Sequence, residues 1–355
     1  MKKLRHLIWL ALPLLLWWLL RQAPLNEIWN TLQTLSLAQL IFLAGINLGI
    51  TLLFSSRWWL ILRAQGHAIP YFSLAGYRLA GFAVSYFTPG TQFGGEPLQV
   101  YLLQKRHGLA NADALAAVTL DKLFELLTNF AFLVAGLLLV FNHGLLNGAN
   151  AAVSHQALLW AVGVLSLPLI YLILLSAGRM PLSWLSAHLP EAWHRRPALS
   201  KLLPVITATE ERIAPLLQRQ PWLILAILAL SASIWLFSIL EYWLSIRFLG
   251  ARLSPFQTIA ALTAARIAFL TPLPGGLGAL EASQAFALQA LGFSPALGIS
   301  ASLLIRARDV LLGLLGLWAG ALLLRSRSIT GQDLSTPAQA GHTRQSFFQT
   351  LRRFS

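Results

Sequence analysis

The chain has 355 residues, of which 57% are apolar and only 11% charged, and its mean hydropathy is +0.66. Soluble domains carry about 25% charged residues, so this chain lacks the charge needed to cover a water-facing surface of its size. Its net charge of +14 does not mark a nucleic-acid binder, because the basic residues fall between apolar runs as topology signals and lipid-headgroup contacts; the absence of cysteine excludes disulfides, thiolate metal sites and thiol catalysis.

In chain order, Lys2, Lys3 and Arg5 precede an apolar run that ends at Leu20. No small-residue cleavage site follows it, so an uncleaved first helix is expected over 6–21. Further spans are expected at 38–62, 111–140, 156–176, 222–248 and 296–324, since a crossing helix needs about 20 apolar residues. The stretches 72–106 and 256–292 are apolar but broken at their centres by Gly and Pro. Each reads as a re-entrant hairpin, because irregular backbone at membrane depth needs cover from protein or a water-filled cavity. The polar stretch 179–220 reads as one or two interfacial helices on the cytoplasmic side, and the tail 326–355 as a disordered basic segment. The expected fold is an all-α polytopic membrane domain over 1–325, with about six transmembrane helices and two re-entrant hairpins.

Charge fixes an orientation. With a cytoplasmic N-terminus, 19 of the 26 Lys and Arg residues fall in inside segments, three (Arg21, Arg247, Arg252) fall outside, and four (Lys122, Arg266, Arg306, Arg308) lie within apolar segments. Both termini are therefore expected in the cytoplasm. In this assignment Arg57 and Arg63, beside Trp58 and Trp59, are interfacial anchors.

The stretches Gly76–Gly136 and Leu262–Gly320 share an order of features: Thr-Pro, a Gly-rich turn, Glu, a short apolar half-helix, and a long helix carrying charges. Thr88-Pro89 corresponds to Thr271-Pro272 and Glu96 to Glu281; Asp121 follows Glu96 by 25 positions, as Arg306 follows Glu281. The pattern reads as a duplication with halves at about 38–140 and 222–324. Three spans separate the two hairpins, which inverts the second copy, an arrangement recurrent in transporters.

Charges inside spans are costly and mark functional residues or their partners. Asp121 and Glu125 share a helix face, with Lys122 off it; Arg306 and Asp309 share another, with Arg308 off it. Arg306 either binds a phosphate or forms a structural ion pair with Asp121 or Glu125, and both uses demand the same geometry. Arg78 and Arg266, on the first arms of the hairpins, are candidates to line a headgroup path, and Glu241 is a candidate polar contact. The turns around Gly94-Gly95-Glu96 and Pro274-Gly275-Gly276-Leu277-Gly278, which leads to Glu281, open half-helices. Their backbone N–H groups suit an anion, or else the Glu merely caps its own helix. Neither turn is a P-loop, no His pair has metal-binding spacing, and no nucleophile set assembles, so neither a cofactor nor an enzymatic activity is expected.

These motifs, Gly-Gly-Glu followed by Asp121-Lys122-x-x-Glu125, then Pro272-x-Pro-Gly-Gly-Leu-Gly to Glu281 and Arg306-x-x-Asp309, resemble the lysylphosphatidylglycerol synthase transmembrane-region family of flippase-like bacterial inner-membrane proteins. The family includes a hopanoid-associated branch. The resemblance covers about residues 10–325. It implies a bundle with re-entrant helices that translocates lipid, with Gly94, Gly95, Glu96, Asp121, Glu125, Pro274, Gly275, Gly276, Gly278, Glu281 and Arg306 matching family motifs. It also implies that lysine transfer from tRNA is absent, because only about 30 residues follow the last span. Two functions are in view: a transporter of a phospholipid, polyprenyl-linked or hopanoid-type lipid, and a non-transporting scaffold that presents lipid to a separate enzyme. The expected partners are membrane lipids with anionic headgroups, a second copy of the chain or a lipid-modifying enzyme.

Overall fold

The computed structural model describes residues 29–30, 33–88, 94–142, 151–190, 197–271, 273 and 276–325. The expected first span over 6–21 and the tail 326–355 lie outside these residues, as do Pro272, Pro274 and Gly275. Among the described residues there are eleven helices and no strand. They are α1 (Leu37–Ala64), α2 (Tyr71–Phe87), α3 (Glu96–His107), α4 (Asn111–Asn142), α5 (Ala151–Ser176), α6 (Pro181–Ala187), α7 (Pro197–Arg219), α8 (Pro221–Phe248), α9 (Pro255–Phe269), α10 (Ala279–Ala290) and α11 (Pro295–Arg325).

Local chemistry sets the boundaries. Ser36 and Gln39 form a capping box at the start of α1, and Ser254 and Gln257 form another at α9. Proline opens α6, α7, α8, α9 and α11, where its missing N–H has no helical partner in any case. Gly108 closes α3 in the left-handed conformation. Among the described residues, five helices are long and apolar enough to cross a membrane: α1, α4, α8, α11 and the Gln156–Ser176 part of α5. These match five of the six expected spans. The two Gly/Pro-broken stretches each become a pair of shorter helices in mutual contact, α2 with α3 and α9 with α10.

Two sets of four helices now appear in the same order and at nearly the same lengths. The set α1–α2–α3–α4 has 28, 17, 12 and 32 residues, and α8–α9–α10–α11 has 28, 15, 12 and 31. The corresponding spans α1 and α8 pack on each other. Each hairpin leans on the long helix of the other set, α2 on α11 and α9 on α4. Glycine makes both approaches: a Cβ on Gly316 would lie 2.1 Å from the Leu79 carbonyl oxygen, and one on Gly136 would lie 2.0 Å from Thr263 Oγ1. Small residues permit such approach where van der Waals contact, rather than the exclusion of water, holds helices together.

The 179–220 stretch forms α6 and α7. Its apolar stripe of Ile213, Ala214 and Leu217 is buried in the core that also holds Leu103, Leu120 and Leu175. The amphipathic helix therefore docks on the bundle instead of resting only on lipid.

Candidate functional site

Three cations and three carboxylates meet where α1, α2, α3 and α4 converge. Arg57 Nε donates to Asp121 Oδ1 at 2.7 Å, and Arg78 Nη1 donates to Asp121 Oδ2 at 2.5 Å. Arg78 Nη2 also reaches Glu125 Oε2 at 3.1 Å. Lys122 Nζ bonds Glu125 Oε1 at 2.8 Å and lies 3.1 Å from Glu96 Oε1. Phe54 presents its ring to both guanidinium groups, 5.3 Å from Arg57 and 4.8 Å from Arg78. Two sequence expectations are corrected here. Arg57 is no interfacial anchor: it is 1% exposed and ties α1 to α4 and, through Ser231 Oγ at 3.2 Å, to α8. Lys122 does not point away from the Asp121–Glu125 face, because it stands three residues before Glu125, a neighbouring position on the helix surface, and its long side chain also extends to Glu96.

The second set holds its charges differently. Arg306 Nε donates to Glu281 Oε1 at 2.7 Å, and Glu281 is fully buried. The expected pairing of Arg306 with Asp121 or Glu125 does not occur, because those carboxylates are occupied by Arg57, Arg78 and Lys122. Asp309 pairs with its neighbour Arg308 at 2.8 Å rather than with Arg306. Arg308 Nη1 also reaches Glu241 Oε2 at 2.9 Å, and Asn47 Nδ2 of α1 donates to Glu241 Oε1 at 3.3 Å. Glu241, expected as a polar contact, thus makes one hydrogen-bonded link between the two sets. The pseudo-symmetry survives in one pair: each half-helix Glu meets a cation of the following long helix, Glu96 with Lys122 and Glu281 with Arg306.

The glycine turns are satisfied from within. Gly94 N–H donates to Glu96 Oε2 at 2.8 Å, and Gly278 N–H donates to Glu281 Oε2 at 2.9 Å. Gly94 at φ 140° and Gly278 at φ 79° adopt backbone conformations that glycine reaches without steric cost. Gly95 N–H donates to Ser85 Oγ, and Gly276 N–H to the Leu273 carbonyl. These four N–H groups are therefore engaged by the chain itself, and each Glu caps its own half-helix. Pro274 and Gly275 lie outside the described residues.

The charged residues surround a central cavity of about 270 Å³, walled by α1, α2, α3, α4, α8, α9 and α11. Glu96, Asp121, Lys122 and Glu125 reach it from the first set, and Glu241, Arg266, Gly276, Arg308 and Asp309 from the second. Glu281 and Arg306 do not belong to its lining. A second cavity of about 700 Å³ opens between α4, α5 and α9, lined mainly by apolar side chains such as Leu126, Leu133, Val164 and Leu167. Four residues belong to both linings: Lys122, Glu125, Arg266 and Phe269.

Arg266 differs from the other inner cations. Arg57, Arg78, Lys122, Arg306 and Arg308 each hold a carboxylate within 3.1 Å. Arg266 has no ion pair among the described residues, and its Nε is buried without an acceptor. Its guanidinium lies 4.8 Å from the centre of the Trp235 ring, which itself stacks on Phe132 at 3.9 Å and 12°.

One buried carboxylate escaped the sequence reading. Glu210 of α7 is completely buried; it accepts the backbone N–H groups of Leu182 (3.0 Å) and Ser183 (2.7 Å) and the hydroxyls of Ser183 and Tyr171. Its spacing of three, four and seven residues from Ile213, Ala214 and Leu217 puts it on the apolar stripe of its helix, a signal present in the sequence.

The family described as Lysylphosphatidylglycerol synthase TM region matches residues 8–316. No curated protein and no solved structure is significantly similar to the chain. With five spans and a family match over most of its length, the chain belongs to the lysylphosphatidylglycerol synthase transmembrane-region family, multi-pass membrane proteins linked to lipid metabolism.

Proposed function

We propose that the protein moves a lipid between the two leaflets of a bacterial inner membrane, with the headgroup in the central cavity and a tail in the lateral one. A single observation carries this reading. A polar cavity and an apolar cavity share the side chains Lys122, Glu125, Arg266 and Phe269, so an amphiphile can occupy both without leaving its headgroup in hydrocarbon. Together the two volumes fall within the range of about 300–1,000 Å³ typical of small-molecule sites. The polar Gly/Pro breaks and the three spans between the hairpins fit an inverted arrangement in which two broken elements approach one site from opposite faces. Neither a catalytic activity nor a cofactor enters this reading.

Liposomes containing the purified chain and a fluorescent phospholipid provide the test. The wild-type protein is expected to accelerate leaflet exchange over protein-free liposomes. Val164→Trp, which fills the lateral cavity without touching the central one, is expected to slow it. Exchange no faster than in protein-free liposomes sinks the transporter reading and leaves a scaffold that holds lipid without moving it.

A further inference from the structure

Arg57, Arg78, Lys122, Arg306 and Arg308 are committed to carboxylates at short range, and Arg266 has no such pair among the described residues. A buried donor without an acceptor calls for an explanation, the more so when the group is charged. Arg266 is also well prepared for a ligand. The Trp235 ring, itself stacked on Phe132, stands against its guanidinium, which limits the motion lost when a partner binds. Its position on the shared wall puts the charge at the join between the polar and the apolar cavity, where the headgroup of an amphiphile meets its tail. The glycine turns do not compete for this role, because their described N–H groups already donate within the chain.

We infer that Arg266 is the receptor for the phosphate of a lipid headgroup, and that the preferred ligand is a phosphodiester with one negative charge. The inference rests on the lipid-handling reading above and names its recognition element. The guanidinium fork matches two phosphate oxygens at once. The charge limit follows from the surroundings. The cavity lining carries the cations Arg78, Lys122, Arg266 and Arg308 and the carboxylates Glu96, Asp121, Glu125, Glu241 and Asp309, and every one of these cations but Arg266 is already paired. One negative charge on the ligand answers Arg266, whereas the second charge of a dianionic phosphomonoester meets no unpaired cation in that lining.

The test uses the full chain in an uncharged detergent and follows its thermal midpoint as lipid is titrated into the micelles. Phosphatidylglycerol, which carries one phosphodiester and no other charge, is expected to raise the midpoint. Diacylglycerol is expected to leave it unchanged, phosphatidate to act more weakly, and millimolar inorganic phosphate to have no effect. Arg266→Gln is expected to need roughly tenfold to a hundredfold more phosphatidylglycerol for the same shift. Arg266→Lys keeps the charge but loses the two-pronged fork; it is expected to fall between the two, and it carries the test if the Gln variant does not fold. Variants that titrate like the wild type, or diacylglycerol as effective as phosphatidylglycerol, overturn the proposal. An equal shift from inorganic phosphate overturns the lipid assignment in favour of a free anion, and a stronger response to phosphatidate overturns the single-charge preference. Failure of the leaflet-exchange assay with Arg266-dependent binding intact removes transport and leaves this site standing.

Discussion

Glu281 Oε1 accepts from Arg306 Nε at 2.7 Å while Glu281 Oε2 accepts from Gly278 N–H at 2.9 Å, so one fully buried carboxylate joins the start of α10 to the body of α11. Breaking a buried pair leaves the surviving charge without compensation, at about 3–5 kcal/mol. Glu281→Gln keeps an acceptor for Gly278 N–H but removes the charge. It is expected to lower stability by that order, and Glu281→Gln combined with Arg306→Gln is expected to recover part of the loss. Thermal denaturation of the three variants in detergent checks this. Strictly additive losses would contradict the pairing.

Glu210 holds α6, α7 and α5 together through four donors, two of them backbone N–H groups at the start of α6. Glu210→Ala leaves those donors without their carboxylate, and a loss of about 2–3 kcal/mol is expected. The opening should be local, so the readout is faster proteolysis between α5 and α7 with cleavage elsewhere unchanged. Uniform loss of protection along the chain would point to general unfolding instead.

Close packing of α2 on α11 gives a third expectation. Gly316→Ala puts a methyl group 2.1 Å from the Leu79 carbonyl oxygen, and overpacking of this kind costs about 1–3 kcal/mol. Gly45→Ala, on α1, meets nothing within 4 Å and serves as the control. Alanine is a better helix former than glycine by about 1 kcal/mol, so the control is expected to be neutral or mildly stabilising. Equal effects of the two changes on the thermal midpoint would count against the α2–α11 interface.

The chain contains no cysteine, which makes single-cysteine topology mapping clean. Ala187 lies exposed at the end of α6, and Arg252 lies exposed after α8, with one crossing helix between them. Ala187→Cys is expected to react with an impermeant maleimide only in inverted membrane vesicles, and Arg252→Cys only in right-side-out ones. The reversed pattern would contradict the expected orientation, and labelling of both from the same side would contradict a crossing by α8.

Much of the fold was legible because the bilayer demands long apolar runs and forbids uncovered breaks. The five described spans and the two interrupted pairs followed from that alone. The pairing of charges was not legible. Helical periodicity places Asp121 and Glu125 on one face, but it does not give the rotation of α4 relative to α1 and α2, so it cannot tell which cation answers them. Arg57 reads as an anchor because its neighbours Trp58 and Trp59 resemble an interfacial belt, whereas α1 runs two further turns to Ala64 and keeps position 57 inside. Lys122 looks off that face only when Asp121 and Glu125 are considered as an i,i+4 pair alone; it is three residues from Glu125, which makes the two neighbours on the helix. Glu210 was hidden in a polar stretch where Glu210, Glu211 and Arg212 look like a solvated face.

The exchange of hairpins between the two sets has a consequence for how the protein is made. Leu79 and Gly316 touch across about 240 residues of chain. At roughly 5–20 residues per second of synthesis, α2 therefore waits about 10–50 s before its seat on α11 exists. Throughout that interval a helix carrying Arg78, and broken from its partner by a Gly/Pro turn, has to be held in or at the membrane without its final neighbour. Biogenesis of this chain thus depends on the order and timing of insertion, and a ribosome that stalls before residue 295 leaves α2 held by α1, α3 and α4 alone, without its seat on α11.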